Sequence, residues 1–284
     1  MPIAHVRGVQ IFYQIIGSHG PWFVLSTGGR RSHAEFISLA TQIAAGGFRV
    51  ILHDRRNTGA SEVSITGDDG EEIIWADDLA ELLHQLQATP AYIGGASSGA
   101  RLSILVAQRH PNIVKAIVLM RVTGGETAAT RLPAKYYQIF IDAAKAGGME
   151  AVCATDDYKE RIKARPENKL ILMNMDPKQF IKVLENWLKI FTSGPSYPVM
   201  GVEEETLRAI KIPVLIIPGN DRTHASINAI EAAKMIPNSQ LFKLPIADQE
   251  VDIISFGEWK SLEPMIATRI IEFLKGLSAC KLDA

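Results

Sequence analysis

Cysteine is nearly absent from this sequence: a chain of 284 residues carries two, Cys153 and Cys280. They lie far apart and lack the short spacings of a metal site. Neither a disulfide framework nor a cysteine-held metal is expected, and a reducing, cytoplasmic setting is. An excess of charge of one sign is also missing. Lys and Arg number 30 and Asp and Glu 31, a formal net charge of −1, which argues against nucleic acid or an anionic membrane as a partner. No apolar run is long enough to span a bilayer, and the first eight residues lack the basic start and apolar core of a signal peptide. There is no internal repeat and no low-complexity stretch. What remains is a chain 47% hydrophobic and 21% charged, enough to bury a sizeable core. The expected partner is a small molecule. Whether the chain works alone or as a homodimer is left open.

Strand and helix patterns alternate along most of the length. Val6–Ile16 reads as an opening antiparallel hairpin about Gly8. Trp22–Ser26, Phe48–His53, Tyr92–Gly95, Ala116–Met120, Ile212–Ile217 and Leu241–Leu244 are short apolar runs, as buried strands require. Between them, helices are predicted from Ser32, as N-cap, to Ala45 and over Ile73–Leu86, Arg101–His110 and Asn228–Met235. Another, Glu258–Leu277, closes the chain. This alternation predicts an α/β fold, a mostly parallel sheet covered by helices on both faces. Residues 123–202 break the rhythm, with helical patterns over Ala134–Ala146, Met149–Ala164 and Pro177–Phe191 and glycine joints at Gly147-Gly148 and Gly194. The expected division is a core of residues 1–122 and 203–284 and a helical lid of residues 123–202 above the strand ends. Extra packing helices without a gating role are the plainer alternative.

Gly95-Ala96-Ser97-Ser98-Gly99 fits G-x-S-x-G between a strand and a helix. A sharp turn there strains the serine backbone and demands small neighbours. The hydroxyl then stands at the carboxyl edge of the sheet, beside helix-start N–H groups that suit an oxyanion. Ser98, between Ala96 and Ala100, competes for the role. Ser97 is preferred because two glycines suit the crowded turn better.

In this order the motifs resemble the α/β-hydrolase fold superfamily, with its lid-bearing esterases, lactonases and carbon–carbon bond hydrolases, over nearly the whole chain. Thr27-Gly28-Gly29 is similar to the family's oxyanion loop. Asp54-Arg55-Arg56-Asn57-Thr58-Gly59-Ala60-Ser61 is similar to its D-x-R-G-x-G-x-S loop, His110-Pro111 to its H-P, and Pro218-Gly219-Asn220-Asp221 to the loop carrying its acid. The resemblance implies Ser97 as nucleophile, the N–H groups of Gly29 and Ser98 as the oxyanion hole, and Asp221 as the acid. Ser98 is expected to contribute only its N–H. The implied activity is hydrolysis of a small-molecule ester, lactone or related carbonyl compound, without metal or organic cofactor.

The family's base histidine departs from this pattern. It follows the last strand, where this chain has Leu244–Asp252 with Gln249 in the histidine's place, and no histidine occurs after His224. Serine is a poor nucleophile without a base. Of the seven histidines, His5, His19 and His84 read as surface residues, His110 as a helix-end residue and His53 as buried packing. His33, near the oxyanion loop, reads as substrate-binding or as a helix cap. His224 stands three residues after Asp221 at the carboxyl edge and is read as the replacement base. A capping or solvent-facing role is the plainer alternative. Asp221, Asp248 or Asp252 are the acids that could orient it. Arg30, Arg31, Arg55, Arg56 and Arg121 follow strand ends. Arg30 and Arg121 are candidate substrate contacts, and pairing of the arginines with Asp54, Glu35 and lid acids is the alternative. Two other functions stay open: a ligand-binding protein that has lost its base, and a lyase or isomerase with a rearranged site. A histidine nitrogen within reach of Ser97 would favour catalysis.

Overall fold

The computed structural model describes residues 2–279. Met1 and Cys280 lie outside the described residues, and Cys153 is a half-buried free thiol. One eight-stranded sheet runs through the molecule. Its strands are β1 (Ile3–Val6), β2 (Val9–Ile16), β3 (Trp22–Ser26), β4 (Arg49–His53), β5 (Ala91–Ala96), β6 (Val114–Met120), β7 (Val214–Ile217) and β8 (Ser239–Leu241). The spatial order is β1-β2-β4-β3-β5-β6-β7-β8. The opening hairpin and its pairing to β4 are antiparallel, and every other pairing is parallel.

Period-two patterning explains why both faces are covered. Val24, Ile51, Ile93, Ile117 and Ile216 point into one core cluster, while their neighbours Leu25, Leu52, Tyr92, Val118 and Ile217 point into a second. The first cluster is closed by α2 (Glu71–Gln85), α3 (Ser98–Arg109) and α10 (Ser226–Met235), the second by α1 (Ile37–Ala45) and α11 (Glu263–Ala279). Between β6 and β7 the chain forms α4 (Gly125–Pro133), a π turn over Ala134–Gln138, α5 (Ile139–Cys153), α6 (Asp156–Ala164), α7 (Glu167–Met173), α8 (Pro177–Ser193) and α9 (Glu204–Ala209). A kink at Gly147-Gly148 divides α5. Apolar faces of α4–α8 enclose a third cluster that includes Tyr137, Phe140, Tyr158, Phe180 and Trp187. No helix among the described residues is long and apolar enough to cross a membrane.

Three local expectations change. The last strand is Ser239–Leu241, not Leu241–Leu244: Phe242 N–H makes one more bond, to Ile216 O, and Pro245 soon follows, restricting Leu244 before it and offering no donor of its own. Ser32 caps no helix with its side chain, because the chain starts there with a 3₁₀ turn (His33–Phe36) and His33 N–H goes to Asp54. At the C-terminal end, a 3₁₀ turn over Phe256–Leu262 with a Ser255/Glu258 capping box precedes the helix proper.

The strand order reverses between β3 and β5, and the loops leaving these adjacent parallel strands therefore diverge at one edge, the usual place for a ligand in such sheets. The β5–α3 turn fits there only through close backbone approach. A Cβ on Gly95 would lie 2.5 Å from Ser26 O, and one on Gly99 2.2 Å from the same oxygen. Gly99→Ala should therefore lower stability by about 1–3 kcal/mol through overpacking, read as a lower urea midpoint with unchanged m-value. An unchanged midpoint would contradict this packing.

Candidate active site

Four loops from neighbouring parallel strands converge at the carboxyl edge: Thr27–Arg31 after β3, Ser97 after β5, Arg121–Thr123 after β6 and Asn220–His224 after β7. Ser97 adopts φ 57° and ψ −118°, a conformation rare for a residue with a side chain. Its N–H is anchored to Met120 O at 3.0 Å. Gly28 lies against it: a Cβ there would stand 3.1 Å from the Ser97 Cβ.

His224 Nε2 is 2.9 Å from Ser97 Oγ. On the other side of the ring, Nδ1 is 2.9 Å from Asp221 Oδ1 and 3.0 Å from Oδ2. A carboxylate can only accept, so Nδ1 carries the proton and Nε2 offers its lone pair to the Ser97 hydroxyl. Thr123 Oγ1, 3.0 Å away, then donates to Ser97 Oγ. Asp221 Oδ1 also accepts the His224 backbone N–H at 2.8 Å, while Oδ2 accepts from Ile254 N–H at 3.0 Å and Arg121 Nη2 at 2.7 Å. Arg121 further donates to Ile254 O.

Asp221 and His224 are both only 2% exposed. Burial pushes the Asp221 carboxyl up, but the bonds from His224 and Ile254 and the charge of Arg121 outweigh it and hold the group well below the usual carboxylate range. Burial lowers His224. The bond to Asp221 works against that and the Arg121 charge with it, for a net shift below the ordinary imidazole value. Arg121 Nη2 is 3.3 Å from Nδ1; two donors cannot bond each other, so it acts there as a nearby positive charge. The ring is therefore neutral at neutral pH, the state a proton acceptor needs.

A cavity of about 250 Å³ opens onto Ser97 and His224, lined on the sheet side by Gly28, Gly29, Arg31 and Thr223 and on the helical side by Leu132, Lys135 and Tyr136, with Asp156, Asp157 and Glu160 of α6. Arg30 also lines it, but its guanidinium is spent on Glu71, at 2.7 and 2.5 Å. Arg121 is likewise held by Asp221. His33 does not line the cavity; its ring packs on Phe12 at 4.3 Å and its Nδ1 sits 3.0 Å from Asp54. Local backbone causes this, since Asp54 binds the His33 N–H and ring together. Asp248 is engaged by Ser226, Asp252 lies beside Arg222, and Gln249 is exposed and tied by its N–H to Asn220 O. None of the three meets His224. Arg30, Arg56 and Arg121 find other partners than Asp54 and Glu35, namely Glu71, Asp78 and Asp221.

Sequence reasoning missed Thr123, which has no motif to announce it, and the side-chain role of Ser98. The Ser98 hydroxyl is not idle: it donates to Gly29 O at 3.0 Å and accepts from Arg55 at 2.8 Å. The N–H groups of Gly29 and Ser98 have no hydrogen-bond partner among the described residues. His53, expected as buried packing, is bonded to Ser26 Oγ at 2.9 Å, and its pKa is driven down to about 3 by burial and the Arg55 charge. An NMR titration should place the His224 pKa below the usual 6.5. Arg121→Gln, which deletes the neighbouring charge, should move it upward. A wild-type value at or above 6.5, or a downward move, would contradict this electrostatic account.

Comparison with known proteins follows the same lines. Residues 21–145 match the model of the α/β hydrolase fold family. An uncharacterized hydrolase of Bacillus subtilis, YraK, is 32% identical over 113 residues, 40% of this chain and 41% of that protein, so the match spans less than half of the relative's length. The α/β-hydrolase superfamily protein YisY of the same organism is 28% identical over 246 residues, 82% of this chain and 86% of the other. Among solved structures, the enol-lactonase of Burkholderia xenovorans superposes with a TM-score of 0.65 at 19% identity, covering 96% of this chain and all of that one. That identity speaks to fold alone. With its strand order, its strained serine turn and this match over residues 21–145, the chain has the α/β-hydrolase fold.

Proposed function

We propose that the protein is a serine hydrolase of small-molecule esters, lactones or related carbonyl compounds, with Ser97 as nucleophile, His224 as base and Asp221 as the acid that orients it. One observation carries the reading: a neutral histidine nitrogen lies 2.9 Å from the oxygen of a serine held at a strained strand–helix turn. The likeness to hydrolases supports the reaction class. A lactonase among the fold neighbours is in keeping with the substrate class.

The steps follow from the positions. His224 Nε2 takes the Ser97 proton as Oγ attacks the substrate carbonyl. The tetrahedral oxyanion is held by the N–H groups of Gly29 and Ser98. The imidazolium, stabilised by Asp221, protonates the leaving alkoxide, and the acyl-enzyme remains. Water, deprotonated by the same ring, then releases the acid product. The base works from the loop after β7 rather than the loop after the last strand, where Gln249 cannot accept a proton. Residues 123–202 form the lid, whose Leu132, Lys135 and Tyr136 close the cavity from above. The cavity's size suits a small acyl group or ring.

Ser97→Ala should abolish turnover of short-chain p-nitrophenyl esters and simple lactones, and should end covalent labelling by a fluorophosphonate. Asp221→Asn, which keeps the shape but favours the wrong tautomer, should lower kcat by about 10⁴. Retained labelling in the Ser97 variant, or undiminished kcat in the Asp221 variant, would refute these roles.

A further inference from the structure

Arg55 differs from the other buried arginines at this edge. Arg30, Arg56, Arg101 and Arg121 each pair with a carboxylate, Glu71, Asp78, Glu72 and Asp221 respectively. Arg55 is 3% exposed, yet no carboxylate lies within salt-bridge reach of it among the described residues. A buried cation without a counter-charge is costly, so what it touches is informative.

Its Nη2 donates to Gly29 O at 2.6 Å and its Nη1 to Ser98 Oγ at 2.8 Å, while Ser98 Oγ donates in turn to Gly29 O at 3.0 Å. The three groups form a closed ring of hydrogen bonds. Trp75 backs it, with its ring centroid 4.6 Å from the guanidinium carbon. Gly29 and Ser98 come from different loops, and they are the residues whose N–H groups remain without partners. The spacing between those two donors is therefore set by one guanidinium and one hydroxyl. Burial lowers the Arg55 pKa to about 10, which leaves it charged at neutral pH.

We propose that Arg55 is the positioning residue of the oxyanion hole: it fixes Gly29 against Ser98 and keeps an unmatched positive charge behind the two N–H donors. This rests on the reading of Ser97 as nucleophile. Two effects favour the transition state over bound substrate. Donors locked in place need no reorganisation when charge develops. The oxyanion is also the counter-charge that the guanidinium lacks in the resting site, so their attraction grows as the barrier is climbed.

The test compares wild type with Arg55→Met, Arg55→Lys, Ser98→Ala and the control Arg56→Met by kcat and KM on p-nitrophenyl acetate. Fluorophosphonate labelling of Ser97 and thermal unfolding accompany it. Arg55→Met should lose about 10²–10³ in kcat, the scale of one lost oxyanion donor, with KM changed by less than about threefold. Arg55→Lys, which restores the charge, should regain about tenfold or more of that loss. Ser98→Ala should lose about tenfold in kcat alone. Arg56→Met should lower the unfolding temperature without this kcat loss. If Arg55→Met does not fold, Ser98→Ala decides, because its side chain is small and its N–H is kept. A wild-type kcat in Arg55→Met or Ser98→Ala, or equal losses in the Met and Lys variants, overturns the positioning role while leaving the nucleophile standing. A wild type that neither cleaves the ester nor is labelled at Ser97 overturns the underlying reading and this one with it.

Discussion

One carboxylate fixes the histidine that faces the strained serine. Asp221 Oδ1 accepts both the backbone N–H and the ring N–H of His224, three residues further on, so the first bond bends the loop after β7 into a turn and the second holds the ring within it. The other oxygen is held by Ile254 N–H and Arg121, which ties that turn to the chain beyond β8. In the proposed mechanism, acid and base therefore arrive as one preassembled unit from a single loop. The loop that follows the last strand supplies a wall instead, with Ile253 and Ile254 lining the cavity.

Charge is distributed around that unit with opposite consequences on its two sides. Arg121 neutralises Asp221 and stands beside the imidazole, where its charge adds to burial in keeping the ring neutral; in the proposed mechanism it also makes the imidazolium formed during proton transfer more expensive. Behind Gly29 and Ser98, Arg55 has no carboxylate partner among the described residues, and in the proposed mechanism its positive charge backs the donors of the oxyanion. In the proposed mechanism the site thus puts a compensated cation beside the base and an uncompensated one behind the oxyanion donors. Each buried Arg–carboxylate pair elsewhere at this edge is expensive to break, about 3–5 kcal/mol when one partner is removed, so these pairs also fix the loops around the cavity.

Much of this arrangement is legible in the residues themselves. Apolar runs of strand length separated by helical patterns lead to the parallel sheet, and Gly95 and Gly99 about Ser97 announce a turn where no Cβ fits against Ser26. Gln249 in the family's histidine position, with His224 near the expected acid, points to the β7 loop. Other features depend on long-range packing that a local pattern does not carry. Arg30 meets Glu71 from 41 residues away and Arg121 meets Asp221 from 100, so their charges, expected to face a substrate, are already answered. His33 has the right place in the chain but turns to Asp54 and Phe12. Ser98 looked like a backbone donor only, because its hydroxyl acquires meaning when Arg55 and Gly29 are brought beside it from two other loops.

Single-turnover acylation of Ser97 by a chromogenic ester, in wild type and His224→Ala across the neutral pH range, isolates the step in which the proposed base acts. The expected result is a folded variant whose acylation is slower by about 10²–10⁴ and no longer follows an imidazole ionisation. Acylation at the wild-type rate, with the wild-type pH dependence, would contradict His224 as the base.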